Sequence, residues 1–510
     1  MESLGENYQC PEWFRDAKFG IYMHWGLNSV SGYNAHYARY MYHQHEPAIA
    51  GAQARLGYNN ASGYRKGGEK VYQYHVKHFG HPSKFGYKDF IGLWKAEKFD
   101  ALALATLYKE VGARYIGVMA VHHDNFDLFD STYQSWNSVR IGPKIDIVGA
   151  WKVACEKLGL RLAITTHLSN HHHEHWFYQG ETDTTGPLAG VPYDTVDPRY
   201  EGLYGQRTPD RLRRLQPEFA LSWYRRTKEL IDKYNPDLLY LDGGLPNGDF
   251  GLNLAAHFYN HNTQVNGKQD GVMTVKNSSR PLPGFTVDVE SAGIKGLMPV
   301  PWQVDTSINP GWFYLGGHLA TTQGSDDAGM SGAEASKKGP DQVRLTAGQV
   351  IDNLIDIVSK NGNMMLNVGL RPDGSLPETF RRELLDIGAW LKLNGEAIYE
   401  TRPYTRFGEG PSEIDTSKHY NDHEHVFTNK DIRFTTKGKA VYAIIMAWPG
   451  DGAMVTIRSL ASDVPETIAS VSMLATGETL TWTRDQQGLH ITLPDTRVGD
   501  HAYVIKVKRH

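Results

Sequence analysis

Two acidic side chains close short apolar runs in this 510-residue chain: Asp242 ends PDLLYLD and Glu290 ends GFTVDVE. One carboxylate to attack a carbon and a second carboxyl to protonate a departing oxygen are what glycosidic cleavage with retention requires. Asp242 suits the attacking role. It follows LLYL directly, and Gly243 and Gly244 behind it leave room for a ring to approach. A strand-end Asp also serves commonly as the cap of the next helix, and a surface ion pair would account for Glu290. Asp288 competes with Glu290, because residues two apart in a strand point to the same side. Spacing alone leaves that choice open.

Imidazoles and indoles end other apolar runs. His24 and Trp25 close KFGIYMHW, His122 and His123 close ARYIGVMAVHH, His167 closes LRLAITTH, and Trp302 closes GLMPVPW. Such side chains bond ring hydroxyls and cover apolar sugar faces. A lone histidine is more often structural, and most of the 12 Trp, 28 Tyr and 18 Phe must pack the core. The run His171, His172, His173, Glu174, His175 invites a metal reading, yet consecutive histidines rarely aim at one ion. No metal site is assigned, and carboxylate chemistry needs no cofactor.

The elements that must carry these residues alternate. FDALALATLYKEVGA places Leu104, Leu107, Tyr108 and Val111 on one helical face. ARYIGVMAVHH then reads as a buried strand, DIVGAWKVACEKLG as a helix, LRLAITTHLS as a strand, EFALSWYRRTKELIDKYN as a helix and PDLLYLDGG as a strand. GFTVDVE, GLMPVPW, the helix TAGQVIDNLIDIVSK, the strand MMLNVGL and the helix TFRRELLDIGAWLKLNG continue the series. At least six strands alternating with helices imply a parallel α/β sheet, and their polar ends suit a closed (β/α)8-type barrel. No Gly-rich dinucleotide fingerprint follows the first strand, which argues against an open doubly wound sheet. After about Thr405, short strands separated by Gly, Asp and Asn turns read as a C-terminal antiparallel β-sandwich. The expected division is 1–400 for the catalytic barrel and 401–510 for the β-sandwich.

Bulk properties remove other classes. With 53 basic and 57 acidic side chains there is no electrostatic footprint for nucleic acid. No apolar run reaches membrane-spanning length. Cys10 and Cys155 allow at most one bridge, so the fold does not rest on disulfides. The opening residues lack a secretory signal. As written the chain reads as cytoplasmic, or as periplasmic or secreted if a signal peptide has been removed. The oligomeric state, homo-oligomer included, stays open.

Several spaced segments are similar to glycoside hydrolase family 29, the retaining α-L-fucosidases. WFRDAKFGIYMHWGLNSVSG resembles the family's opening W-x-x-A-K-F-G-x-x-x-H-W-G-x-x-S segment, with one extra residue before the Ala. FDALALATLYKEVGARYIGVMAVHHDNFDLFDS resembles its paired-histidine block, PDLLYLDGG its nucleophile strand, and VSKNGNMMLNVGLRPDG its closing strand. The resemblance spans about residues 13–405. It implies a terminal α-L-fucosyl group on an oligosaccharide or glycoconjugate as substrate, Asp242 as nucleophile, and His24, His122 and His123 around the fucose hydroxyls. DVE…PVPWQVDTS looks like the subgroup acting on branched α-1,3/1,4-linked fucose, which points to Glu290 as acid/base. Tyr240 stands where the family commonly has Trp. Ala35-His36-Tyr37 replaces a common Glu-Trp-Tyr, bringing His36 toward the sugar, and Thr165-Thr166-His167 replaces Tyr-Tyr-Ser. Val121 and Asn125 replace the usual Lys and Gly around the paired histidines. The extra imidazoles suggest a modified or sulfated fucose, or a related sugar such as galactose. A metal-dependent barrel hydrolase and a non-catalytic sugar-binding protein are the rival classes. The metal enzyme's His-x-His on the first strand is His24-Trp25-Gly26 here.

Overall fold

The computed structural model describes residues 6–45, 68–168, 181–205, 217–242, 244–245, 249–276, 283–316, 341–414, 422, 425–464 and 467–510. The histidine run 171–175 lies outside the described residues.

Eight parallel strands close into a barrel. They are β1 (Phe19–Met23), β2 (Tyr115–Val121), β3 (Arg161–Thr166), β4 (Leu238–Leu241), β5 (Val272–Lys276), β6 (Thr286–Glu290), β7 (Trp302–Ser307) and β8 (Gly362–Asn367). Neighbours pair in chain order, and β8 returns to β1 with Phe19 opposite Met364. Strands covered on both faces read as apolar runs rather than alternations; all seven residues of β2 and all four of β4 are buried. At Gly20, an added Cβ would lie 2.4 Å from the Tyr115 ring, so only glycine lets that ring cross β1.

The outer helices start and stop where their sequences dictate. Asp100 accepts a bond from Ala103 N and Asp146 one from Gly149 N, capping the helices Ala101–Val111 and Ile147–Leu158. Gly112 and Gly159 end them in the left-handed conformation. A capping box between Thr346 and Gln349 opens Ala347–Ser359, whose Val350, Ile351, Leu354 and Val358 are buried. Truncating such a Leu or Ile to Ala costs about 2–5 kcal/mol.

Two elements of the barrel's alternation were absent from the sequence reading: the helix Asp249–Asn266 and strand β5. Asp249–Asn266 packs beside Pro217–Tyr234, so β4 is flanked by a helix on each side in the chain. Residues 291–301, between β6 and β7, form no helix, so the strict alternation fails there.

Beyond the helix Glu378–Asn394 the chain turns antiparallel. Strands β9 (Arg402–Glu409), β10 (Ile432–Lys437), β11 (Ala440–Ile445), β13 (Ile468–Met473) and β16 (Tyr503–Arg509) form one sheet in the order β13-β16-β11-β10-β9. Strands β12 (Met454–Ile457), β14 (Trp482–Arg484) and β15 (Leu489–Thr492) form a second, in the order β12-β15-β14. Phe434, Val441, Ile457, Leu489, Ile491 and Ile505 share one apolar core between them. Buried Asp356 joins this unit to the barrel. It meets Arg433 Nε from β10 and Lys360 Nζ, both at 2.7 Å, so each buried charge has a partner.

Candidate active site

The C-terminal strand ends converge on one basic side chain. Lys276, the last residue of β5, places Nζ 2.8 Å from Asp242 Oδ1 and 2.8 Å from Glu290 Oε2. The two carboxylate oxygens are therefore no farther apart than twice that distance. Retaining glycosidases hold their carboxyl groups about 5–5.5 Å apart, against about 6.5–9.5 Å for inverting ones.

Each carboxyl has a different environment. Burial alone would raise Asp242, but Lys276, His167 and His123 outweigh it and hold that carboxyl well below the usual range. His167 Nδ1 is 3.0 Å and His123 Nε2 3.6 Å from Asp242 Oδ2. Burial pushes Glu290 up. Lys276 opposes this, while the charges of Asp305 and Asp242 add to the rise. One acid is thus kept ionised and the other biased toward its protonated form, the pair of states that double displacement needs.

Asp288 faces the same side of β6 but lies one storey deeper, 2 % exposed. Its Oδ1 accepts from Tyr240 Oη at 3.2 Å and its Oδ2 from Gln303 Nε2 at 2.7 Å. Burial and the neighbouring Asp305 push its carboxyl far up. Asp305 in turn accepts from Tyr22 and Tyr240 hydroxyls at 3.2 Å each. These residues form a buried polar floor beneath the Asp242–Lys276–Glu290 bridge.

The histidines line the wall. Asn367 Oδ1, at the end of β8, accepts from the His24 backbone N at 2.9 Å and sits 3.1 Å from Nδ1, which places the ring proton on Nδ1. His24 packs against His122 and His167 with ring centroids 5.4 and 4.9 Å apart. His36 stacks on His123 at 5.0 Å. Burial, then the neighbouring imidazoles, hold His24 and His122 well below the usual histidine range, which favours their neutral forms. His122 Nδ1 is buried without a hydrogen-bond partner among the described residues. Two overlapping sets, His24/His122/His167 and His123/His167/Asp242, have donor atoms within 4.8 Å, a spacing that could hold an ion. The carboxylate chemistry needs none there.

Three expected sugar contacts take other places. Trp25 turns away from the mouth, stacks on Phe99 at 4.8 Å and donates to Arg371 O. Trp302 begins β7 instead of ending it, so it lies at the opposite end of the barrel, fully buried and donating to Lys360 O at 3.0 Å. Tyr240 supports the floor through its hydroxyl. The indole that does reach the site is Trp312, 5.2 Å from His24 and 5.7 Å from Lys276 Nζ. Phe313 joins it, 4.8 Å from His122. Neither they nor Lys276 and Asp305 were picked out by sequence. A lysine closing the buried run VMTVK was the available signal for Lys276.

The sequence pattern described as Alpha-L-fucosidase matches residues 1–326 and 336–396, and that described as Alpha-L-fucosidase C-terminal domain matches 425–508. The chain belongs to the α-L-fucosidase family, glycoside hydrolase family 29. It is similar to the plasma α-L-fucosidase of Homo sapiens, 26% identical over 507 residues, covering 96% of this chain and 87% of that protein. The tissue α-L-fucosidase of Rattus norvegicus is 26% identical over 509 residues, covering 98% and 90%. Among solved structures, Thermotoga maritima α-fucosidase in complex with a mechanism-based inhibitor superposes with a TM-score of 0.67 at 27% identity. It covers 99% of this chain and 98% of that one. A trapped covalent intermediate of an α-L-fucosidase from Bacteroides thetaiotaomicron shares the fold, with a TM-score of 0.61 at 17% identity over 98% and 95%. This α-L-fucosidase-family chain is thus a glycoside hydrolase on a closed barrel with a C-terminal antiparallel sheet domain. Among the described residues, no helix is long and apolar enough to cross a membrane.

Proposed function

We propose that Asp242 is the nucleophile and Glu290 the acid/base in retaining hydrolysis of a terminal α-L-fucosyl residue from an oligosaccharide or glycoconjugate. The observation that carries this is the single Lys276 ammonium touching both carboxylates at 2.8 Å. In the first step Asp242 Oδ1 or Oδ2 bonds the anomeric carbon as the bond to the departing oxygen breaks, and Glu290 gives that oxygen its proton. In the second, Glu290 takes a proton from water, whose oxygen bonds the anomeric carbon and releases Asp242.

His122 Nδ1, unpaired in the wall, and His24 Nε2, left as an acceptor once Nδ1 holds the proton, suit ring hydroxyls. Trp312 and Phe313 supply the apolar side for the sugar's methyl group.

A 2-fluoro-fucosyl donor with a good leaving group, followed by peptide mass spectrometry, tests the assignment. The expected adduct sits on the peptide containing Asp242. A label elsewhere, or none while a fluorinated galactosyl donor labels the site, would overturn it.

A further inference from the structure

A second cluster of metal-ligating side chains lies outside the barrel, far from the chemistry in role. Asp232 sits in the last turn of the helix Pro217–Tyr234, which enters β4. His257 and His261 are four residues apart on Asp249–Asn266, the helix that follows β4, so they share one face. His257 Nε2 is 2.6 Å and His261 Nδ1 3.8 Å from the same oxygen, Asp232 Oδ1. Lys228 Nζ holds the other oxygen, Oδ2, at 2.5 Å. One carboxylate oxygen is thereby turned toward both imidazoles. The three side chains offer one ligand atom each, all within 4.8 Å of one another. The cluster is reachable, with side chains 39 %, 24 % and 19 % exposed for Asp232, His257 and His261.

We propose that Asp232, His257 and His261 bind one divalent ion of the zinc class, which ties together the two helices flanking the nucleophile strand. Two arguments support this. Two imidazole nitrogens and one carboxylate oxygen form a three-ligand set that a tetrahedral zinc ion completes with water. Bonds of about 2.0–2.2 Å put neighbouring ligand atoms about 3.3 Å apart. The 2.6 Å contact must widen and the 3.8 Å contact shorten, by roughly 0.7 Å and 0.5 Å, within reach of side-chain rotation at a partly exposed site. Second, an acidic residue in the last turn of a helix opposes the helix dipole, and a cation there answers both the carboxylate and the free carbonyls. On binding, His257 loses its hydrogen bond to Asp232. Its proton moves to Nδ1 or is released, and Nε2 presents its lone pair to the ion.

The test uses the full chain, stripped with chelator and titrated with zinc chloride by calorimetry and equilibrium dialysis. The imidazoles at the barrel mouth and the 171–175 run could also take zinc, so the decisive comparison is with H257A, H261A and D232N. The expected result is one zinc equivalent, with a dissociation constant below about 10 µM, lost in each variant. Fucoside hydrolysis by the metal-free proteins stays unchanged. The melting temperature should rise by about 2 °C or more with zinc for the parent and not for the variants. Cobalt substitution should give tetrahedral d–d absorption that H257A loses. Equal zinc stoichiometry in parent and all three variants, or binding weaker than about 100 µM, would overturn the site. Where H257A or H261A melts far below the parent without metal, D232N, whose carboxamide keeps the carboxylate's shape, carries the comparison.

Discussion

Lys276 Nζ and Asp242 Oδ1 stand 2.8 Å apart at the mouth of the barrel, each on the end of a neighbouring strand. This ion pair keeps Asp242 ionised despite its burial, and its second arm reaches Glu290. Replacing Lys276 by Met removes the opposing charge from both acids, so both carboxyls rise. The acidic limb of kcat/KM against pH, set by ionisation of Asp242, should move to higher pH, and kcat/KM should fall by about 10²-fold or more. K276R should restore much of the rate. An unmoved acidic limb in K276M would remove this role.

Asp242→Ala should lower turnover by about 10³-fold or more while the circular dichroism spectrum is kept, because the carboxylate bonds the site and not the apolar core. Azide should restore part of the activity as the inverted glycosyl azide, read by NMR.

Glu290 and Asp288 are separable by leaving group. Glu290→Ala should slow natural fucosides far more than aryl fucosides with good leaving groups, and azide should rescue the second step. Asp288→Asn should change kcat/KM by less than about tenfold, since that carboxyl bonds Tyr240 and Gln303 below the site. The opposite pattern would exchange their roles.

The two acids also act on stability with opposite sign. Asp242 is depressed in the folded state, so its contribution is present above the unfolded carboxylate range and is lost as pH falls through the folded value. Asp288 is raised, so its contribution is full below the unfolded range and is lost as pH rises toward the folded value. Denaturant melts across pH should show D288N with a flatter decline on the rising side than the parent, and D242N with a flatter decline on the acid side.

Trp302 and Trp312 should divide structure from binding. Trp302→Phe deletes the bond to Lys360 O and should cost about 1 kcal/mol of stability with KM unchanged. Trp312→Ala should raise KM by about tenfold or more, since its ring borders His24 and Lys276. Thermal melts and steady-state kinetics on an aryl fucoside distinguish the two.

The barrel was legible because its strands are buried on both faces and its helices carry one apolar stripe, as in YIGVMAV and IVGAWKVACEKL. Position along the strand was less so. Trp302 sits beside prolines and looks like a terminus, yet it is the first residue of β7, and only hydrogen-bond register with Val287 and Gly362 places it. Strand β5 is five residues long and follows a polar helix end, so it leaves little periodic signal, and Lys276 went unseen with it. The ambiguity between Asp288 and Glu290 had the same root: alternation specifies a side chain's face but not its depth. Asp305 and Trp312 needed the closed ring, since they meet Tyr240 and His24 from strands and loops distant in sequence.

The shared ammonium has one more consequence. With a cation already lodged between the two acids, Asp242 and Glu290 present less unopposed negative charge to the outside than they would alone. Protonated iminosugars, which draw affinity from unopposed carboxylates, must compete with a tethered lysine for the same oxygens. Inhibitors of this enzyme should therefore gain less from a ring nitrogen's charge than from filling the indole and phenyl walls, and their affinity should vary little with ionic strength.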